Sequence, residues 1–256
     1  MIKNIIRKQF YKMYLERYDS GKEVFEKMQQ VKGYTMSTPI DLATLYEIVI
    51  HLDKYKIEGD FVECGVWKGG SAGIMALANL AHSNERRDIH LFDLFDDIVA
   101  PDMEKDGEIA VKEIMQYIEK TNINKDDYFG KLKPIKGIYD SHGGYGSTEI
   151  VEKFMVETIN YPSENIRLHK GLFQDTVINT PDIDKIALLR LDGDWYDSIK
   201  ICLDNLYDKV VEGGVVIIDD VGTYDGCRKA VNDFFMERNL KYFLNYSRPQ
   251  TRFFFK

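Results

Sequence analysis

Two stretches constrain this chain more than any others. Residues 185–192 read Lys-Ile-Ala-Leu-Leu-Arg-Leu-Asp and residues 213–220 read Gly-Gly-Val-Val-Ile-Ile-Asp-Asp, near-continuous apolar runs that stop on acids. A run without polar alternation fits a strand buried on both faces, and such strands belong to parallel sheets sandwiched between helices. Shorter runs at 60–65, 90–93 and 165–171 read as further strands. Between them lie helical stripes. Leu42, Leu45, Ile48, Val49 and Leu52 mark a helix from Pro39 to Tyr55, and Ile74, Met75, Leu77 and Leu80 mark the next. Helices are also expected over 104–120, from Ser147-Thr148 onward, over 198–207 and over 227–236. Residues 241–246 and 251–256 are close enough to pair as a hairpin. Alternating strands and helices imply right-handed βαβ units. The expected fold is α/β and Rossmann-like: a mainly parallel sheet with an antiparallel C-terminal hairpin.

Residues 1–30 read as amphipathic helix, broken at Lys32-Gly33-Tyr34, so the chain divides into a helical N-terminal extension or lid (1–57) and an α/β domain (58–256). Residues 121–147 are polar and glycine-rich, and a loop of that length inside a domain is usually functional or mobile. Ile2, Ile5, Ile6, Phe10 and Leu15 share a face opposite Lys3, Arg7, Lys8 and Lys12. Such a face suits a membrane surface, the chain's own domain or a second subunit; packing, including a homo-oligomer through these helices, is the expectation. The first segment lacks the apolar core of a signal peptide, and no stretch approaches the ~20 apolar residues of a membrane span. A cytoplasmic protein is expected.

With 34 Lys and Arg against 42 Asp and Glu, the formal charge of −8 argues against nucleic acid as a partner. Cys64, Cys202 and Cys227 have neither CxxC nor Cys/His spacing, so buried thiols are expected rather than a disulfide framework or a zinc cage.

Ligands of open parallel sheets bind beyond the carboxyl ends of the strands, at the switch point in strand order. The first strand runs into Glu63-Cys-Gly65-Val-Trp67-Lys-Gly69-Gly70-Ser71. Glycines there let backbone approach a ligand, and the helix that follows aims its free N–H groups at it. Trp67 stands where a dinucleotide fingerprint has its middle glycine, and the Gly-Lys-Ser/Thr of a P-loop is missing. The turn is therefore either a binding turn of another kind or a tight strand-to-helix connection. Asp93, ending the second strand, is placed to accept hydrogen bonds from a ribose diol. Asp192, Asp194, Asp219 and Asp220 end the two apolar strands, where carboxylates repel one another unless protons or a cation intervene. Oxygen donors alone suit Mg²⁺ or Ca²⁺. His142, in the glycine-rich loop, is a further acid–base candidate.

These blocks, with Gly171-Leu-Phe-Gln-Asp-Thr, Leu191-Asp-Gly-Asp-Trp-Tyr-Asp-Ser and Gly226-Cys-Arg-Lys-Ala-Val, follow one another in an order that resembles the macrocin O-methyltransferase family. The resemblance implies a class I S-adenosylmethionine-dependent fold with a seven-stranded sheet, and methyl transfer to a sugar hydroxyl assisted by Mg²⁺ or a similar divalent ion. It implies that Glu63, Gly65 and Ser71, beside Trp67, hold the methionine end of the donor and Asp93 its ribose. Tyr34, Thr35, Met36 and Ser37 would form a lid over it, and Gln174 and Asp175 would lie near the adenine. Asp192, Asp219 and Asp220 would bind the ion, with Asp192 or Asp194 taking the proton and His142 as an outside candidate. Catechol methyltransferases carry a lysine base where this chain has Trp195. The acceptor is expected to be a small molecule or saccharide, from a natural product to a surface polysaccharide or nucleotide sugar. A catechol-like diol acceptor, a nicotinamide-dependent oxidoreductase and a non-catalytic binding protein of the same fold are the alternatives.

Overall fold

The computed structural model describes residues 20–256, so the expected amphipathic face of residues 2–15 lies outside the described residues. Helix α1 (Gly21–Gln30) leads through the glycine break into α2 (Pro39–Lys54). The start of α2 is locally encoded: Thr38 and Asp41 form a reciprocal capping box and Pro39 occupies the first turn, where a missing N–H costs nothing. Strand β1 (Asp60–Cys64), helix α3 (Gly70–His82) and strand β2 (Ile89–Asp93) follow, then α4 (Gly107–Thr121) and the short α5 (Thr148–Lys153), which Ser147 caps. After β3 (Ile166–Lys170) come α6 (Phe173–Thr176), β4 (Ile186–Leu191), α7 (Tyr196–Leu206), β5 (Val210–Ile218) and α8 (Asp225–Glu237). Strands β6 (Asn245–Tyr246) and β7 (Arg252–Phe255) close the chain.

The seven strands form one sheet in the order β3-β2-β1-β4-β5-β7-β6, parallel except where β7 runs antiparallel between β5 and β6. Strand order reverses between β1 and β4, which places the switch point there. Alternate residues of the central strands feed two cores. Phe61, Val215 and Ile217 pack beneath α1, α2 and α3, while Val62, Leu189, Leu191 and Ile218 pack beneath α7 and α8. The three cysteines are buried and unbridged. Among the described residues, no helix is long and apolar enough to cross a membrane.

Three expectations shift in detail. The hairpin is shorter than its apolar run, because residues 241–244 stay outside the sheet. Tyr242 stacks on Phe254 instead (centroids 4.6 Å apart), and Ser247 and Arg248 are drawn to Asp41 at the start of α2. Strand β5 begins before its glycines, at Val210, with Gly213 at φ +79° taking the irregularity. The segment 121–147 is irregular as expected, yet it is pinned by a small core of Ile114, Ile118, Tyr128 and Ile135 and by a bridge between Val99 and Pro134.

Candidate active site

A cleft of about 940 Å³ opens over the carboxyl ends of β1, β2, β4 and β5. Its glycine wall comes first. Gly65 turns at φ +89°, and a Cβ there would lie 1.9 Å from the Asp192 carbonyl oxygen, so β1 and β4 close together only with glycine at this position. At the start of α3, the Gly70 N–H donates to the Tyr34 carbonyl at 2.8 Å, and a Cβ on Gly70 would meet Thr35 at 2.5 Å. The segment Tyr34, Thr35, Met36, Ser37 therefore lies directly across the turn, with Tyr34 stacked on Phe154 and the Ser37 hydroxyl 3.3 Å from that of Ser71. All four of its residues line the cleft, as do Trp67, Ser71 and Gln174; Asp175 does not.

Asp93 also lines the cleft, and the fold uses most of its carboxylate. Oδ2 accepts the N–H groups of Val66 (2.6 Å) and Trp67 (3.1 Å), and Oδ1 accepts that of Phe95 (2.7 Å). A carboxylate has about four lone-pair directions, so these three N–H groups, with that of Leu94 also favouring its charge, occupy most of them. Burial pushes the Asp93 carboxyl up and these N–H donors oppose it. Trp67 and Phe95, the residues it holds, sit in the left-handed region at φ +48° and +50°. The Trp67 Nε1 donor is buried without a hydrogen-bond partner among the described residues.

The adjoining wall is acidic. Arg190, only 4% exposed, donates to Glu63 Oε1 (2.8 Å), Asp192 Oδ2 (2.9 Å) and Asp219 Oδ2 (2.8 Å). Glu63 and Arg190 face each other in register across the β1–β4 seam, which puts this buried pair at the switch point. Burial pushes the Glu63 carboxyl up to about 7, against the pull of Arg190. Glu63 thus supports the cleft from below rather than lining it.

Carboxylate oxygens of Asp192, Asp194 and Asp220 all come within 4.8 Å of one another. Asp194 and Asp220 hold left-handed backbone, at φ +55° and +52°. A non-glycine residue in that region costs on the order of 1–3 kcal/mol, so two in one corner mark a site that the surrounding fold enforces. Burial pushes the Asp192 and Asp194 carboxyls well above the usual range, and the neighbouring acids push the same way. Asp220 is raised too, by burial and by Asp219. Such a corner is relieved by protons or by a cation, and three hard oxygen donors fit Mg²⁺.

The structure therefore joins Asp192 and Asp220 with Asp194. It sets Asp219 just behind them, with Oδ2 on Arg190 and Oδ1 on the Thr251 hydroxyl at 2.6 Å. His142 is not brought to the cleft: its ring is exposed and bonded to Ser141, while its backbone carbonyl accepts from Lys68 Nζ at 2.9 Å. Sequence reasoning missed Arg190 and Arg248, which line the cleft, and Lys68, which ties the glycine turn of β1 to the loop at 142–143. Arg190 had left a signal, since an arginine inside an apolar buried strand must find carboxylates. Arg248 reaches Asp41 and Asp219 from the far side of the chain, and nothing local announces it.

Strand order, helical layers and a cleft at the switch point define a Rossmann-like fold of the methyltransferase kind. The solved O-methyltransferase NovP superposes with a TM-score of 0.67 at 28% identity, covering 87% of this chain and 82% of that one. The calicheamicin methyltransferase CalS11 shares the fold at 16% identity, with a TM-score of 0.55 over 99% of this chain and 92% of its own. In sequence, this chain is 33% identical over 180 residues to demethyldecarbamoylnovobiocin O-methyltransferase of Streptomyces niveus, covering 70% of this chain and 58% of that protein. It is 30% identical over 179 residues to the 8-demethyl-8-(2,3-dimethoxy-alpha-L-rhamnosyl)-tetracenomycin-C 4'-O-methyltransferase of Streptomyces olivaceus, with the same coverage of 70% and 58%. The chain thus spans less than two thirds of the length of these curated relatives. The macrocin-O-methyltransferase (TylF) family matches residues 5–133 and 147–253, and the chain belongs to that family. The internal stretch left unmatched, 134–146, falls in the glycine-rich segment.

Proposed function

We propose that this chain is an S-adenosylmethionine-dependent O-methyltransferase that methylates a sugar hydroxyl on a small-molecule or saccharide acceptor, with a divalent cation at the acidic corner. The observation that carries the reading is the cleft itself, whose lining includes both the glycine turn of β1 and the Asp192–Asp194–Asp220 corner. Its volume lies near the upper end of ligand pockets, roughly 300–1,000 Å³, which leaves room for a donor and an acceptor together. The name of the tetracenomycin relative carries a rhamnosyl group, which supports a glycoside acceptor.

The residues divide the work. Gly65 and the N-terminus of α3 receive the polar end of the donor, whose sulfonium methyl is the electrophile. Residues 34–37 close over that end as a lid, and the Asp93 carboxylate, at the cleft wall, takes a ribose hydroxyl. Asp192, Asp194 and Asp220 would hold the cation, which when bound would lower the pKa of an acceptor hydroxyl and help to orient it. Asp192 or Asp194, at that hydroxyl, accepts its proton. Holding the oxygen in line with the methyl carbon supplies roughly 7–11 kcal/mol at most, the range for well-oriented reactants.

Calorimetry with S-adenosylmethionine, then turnover with a labelled methyl donor against a panel of sugars, tests the reading. Donor binding, Mg²⁺-dependent methylation and loss of turnover in EDTA are expected. Absence of donor binding would refute the enzyme, and full activity after thorough chelation would remove the metal from its mechanism.

A further inference from the structure

A second cluster of ligating side chains lies towards the other end of the sheet. His90 is the second residue of β2, His169 the fourth of β3, Asp182 precedes β4, and Asp60 opens β1. His90 and Phe92 point to the same face of the sheet, and Phe92 pairs in register with His169, so both imidazoles emerge on that face. His90 is fully buried. The His169 ring stacks on Phe92, with centroids 4.0 Å apart and planes 7° from parallel, which fixes its orientation.

The ligand atoms converge. His90 Nδ1 is 3.1 Å from His169 Nε2 and 3.5 Å from Asp182 Oδ2, and His169 Nε2 is 3.8 Å from the same oxygen. Bonds of roughly 2.0–2.2 Å in a tetrahedron around zinc set ligand atoms about 3.3–3.6 Å apart, and the three separations straddle that range. On its far edge, His90 Nε2 has no hydrogen-bond partner among the described residues and faces Asp60 Oδ2 at 3.5 Å. With Nδ1 on a metal, Nε2 carries the proton and directs it at that carboxylate, the outer-shell contact that sets the tautomer of a ligating histidine. A simple imidazole–imidazole hydrogen bond would explain the shortest distance alone and leave Asp182 and Asp60 without a part.

We propose that His90, His169 and Asp182 form a zinc-binding site, oriented by Asp60 and separate from the acidic corner. The side chain of Asp182 is 43% exposed, so the ion enters from solvent and water completes its coordination. Two nitrogens and one oxygen suit zinc, whereas the all-oxygen corner suits Mg²⁺, so the two ions sort between the sites. The ion would clip β2 and β3 to the segment between β3 and β4, which carries Phe173 and Gln174 of the cleft wall. Its role is therefore structural.

The test is a Zn²⁺ titration of metal-free protein by calorimetry, with Mg²⁺ in large excess to fill the acidic corner. A single zinc site, a raised melting temperature and, with Co²⁺ in its place, the intense visible absorption of a tetrahedral nitrogen-ligated ion are expected. Asp182→Asn, at an exposed position, and His169→Ala should weaken zinc binding at least tenfold, and Asp60→Asn by about 10–100-fold, the usual effect of an outer-shell partner. Failure to bind zinc, equal binding in Asp182→Asn, or zinc binding that disappears only in Asp220→Asn would overturn the proposal.

Discussion

A guanidinium at position 190 faces Glu63, Asp192 and Asp219 where water has little access, and the acidic wall is organised around it. Burial works against its charge, and Asp192, Glu63 and Asp219 outweigh that cost. Removing one partner of a buried ion pair typically costs 3–5 kcal/mol, because the other is left charged and unpaired. Arg190→Met should therefore lose about that much in urea denaturation; a loss under about 1 kcal/mol would show that the acids are neutralised by protons instead. The same geometry orders the aspartates. Asp219 is already satisfied by Arg190 and Thr251, whereas Asp194 shares the open corner with Asp192 and Asp220. In Mg²⁺ titrations, Asp194→Asn should cost more affinity than Asp219→Asn. The reverse order would return Asp219 to the ligand set and leave Asp194 free to take the proton. That four aspartates end two neighbouring strands is visible in the sequence; which three converge depends on left-handed backbone at Asp194 and Asp220.

The elements were legible wherever periodicity and end signals agree. The apolar stripe of α2, the apolar runs of β4 and β5, and the stripe of α4 each declare themselves over a few residues. The glycine-rich loop after α4 does not, because part of its order comes from a distant side chain. Lys68, beside the β1 turn and 8% exposed, donates to the carbonyls of His142 (2.9 Å) and Gly143 (2.8 Å) and lies over the Trp67 ring. Gly146 packs so tightly on this turn that a Cβ would fall 1.8 Å from the Trp67 carbonyl oxygen. Loop and turn are therefore one unit. Lys68→Met keeps the apolar stem and removes the donor; it should lower stability by about 1.5–3 kcal/mol, the range for hydrogen bonds to a charged group. Limited proteolysis should show new cleavage within 137–147, and an unchanged digestion pattern would mean that the small core around Ile135 holds the loop alone.

At the scale of the whole molecule, a buried anionic wall makes stability depend on pH. The Glu63 carboxyl, ordinarily near 4.5, is pushed up to about 7 in the fold. Between those values the folded chain holds a proton that the unfolded chain has released, so stability falls as pH rises through the interval. The full shift corresponds to about 3 kcal/mol. With Mg²⁺ present to hold the other acids constant, urea denaturation at about pH 5 and pH 8 should show this decline in the native chain. Glu63→Gln should lose the slope; an equal slope in both would assign it to other groups.

The sequence by itself determined the alternation of buried strands and amphipathic helices, and with it the parallel sheet, its antiparallel end and the strand ends where chemistry gathers. These follow from local periodicity, caps and glycines, whose effects extend over only a few residues. Only the tertiary structure decided that Arg190 and Thr251 commit Asp219, that Lys68 anchors a loop more than seventy residues away, and that His142 stands outside the cleft. Those outcomes are set by burial and by charge pairing across strands far apart in sequence. A carboxylate's role depends on which cation the fold brings beside it, and no pattern along the chain carries that distance.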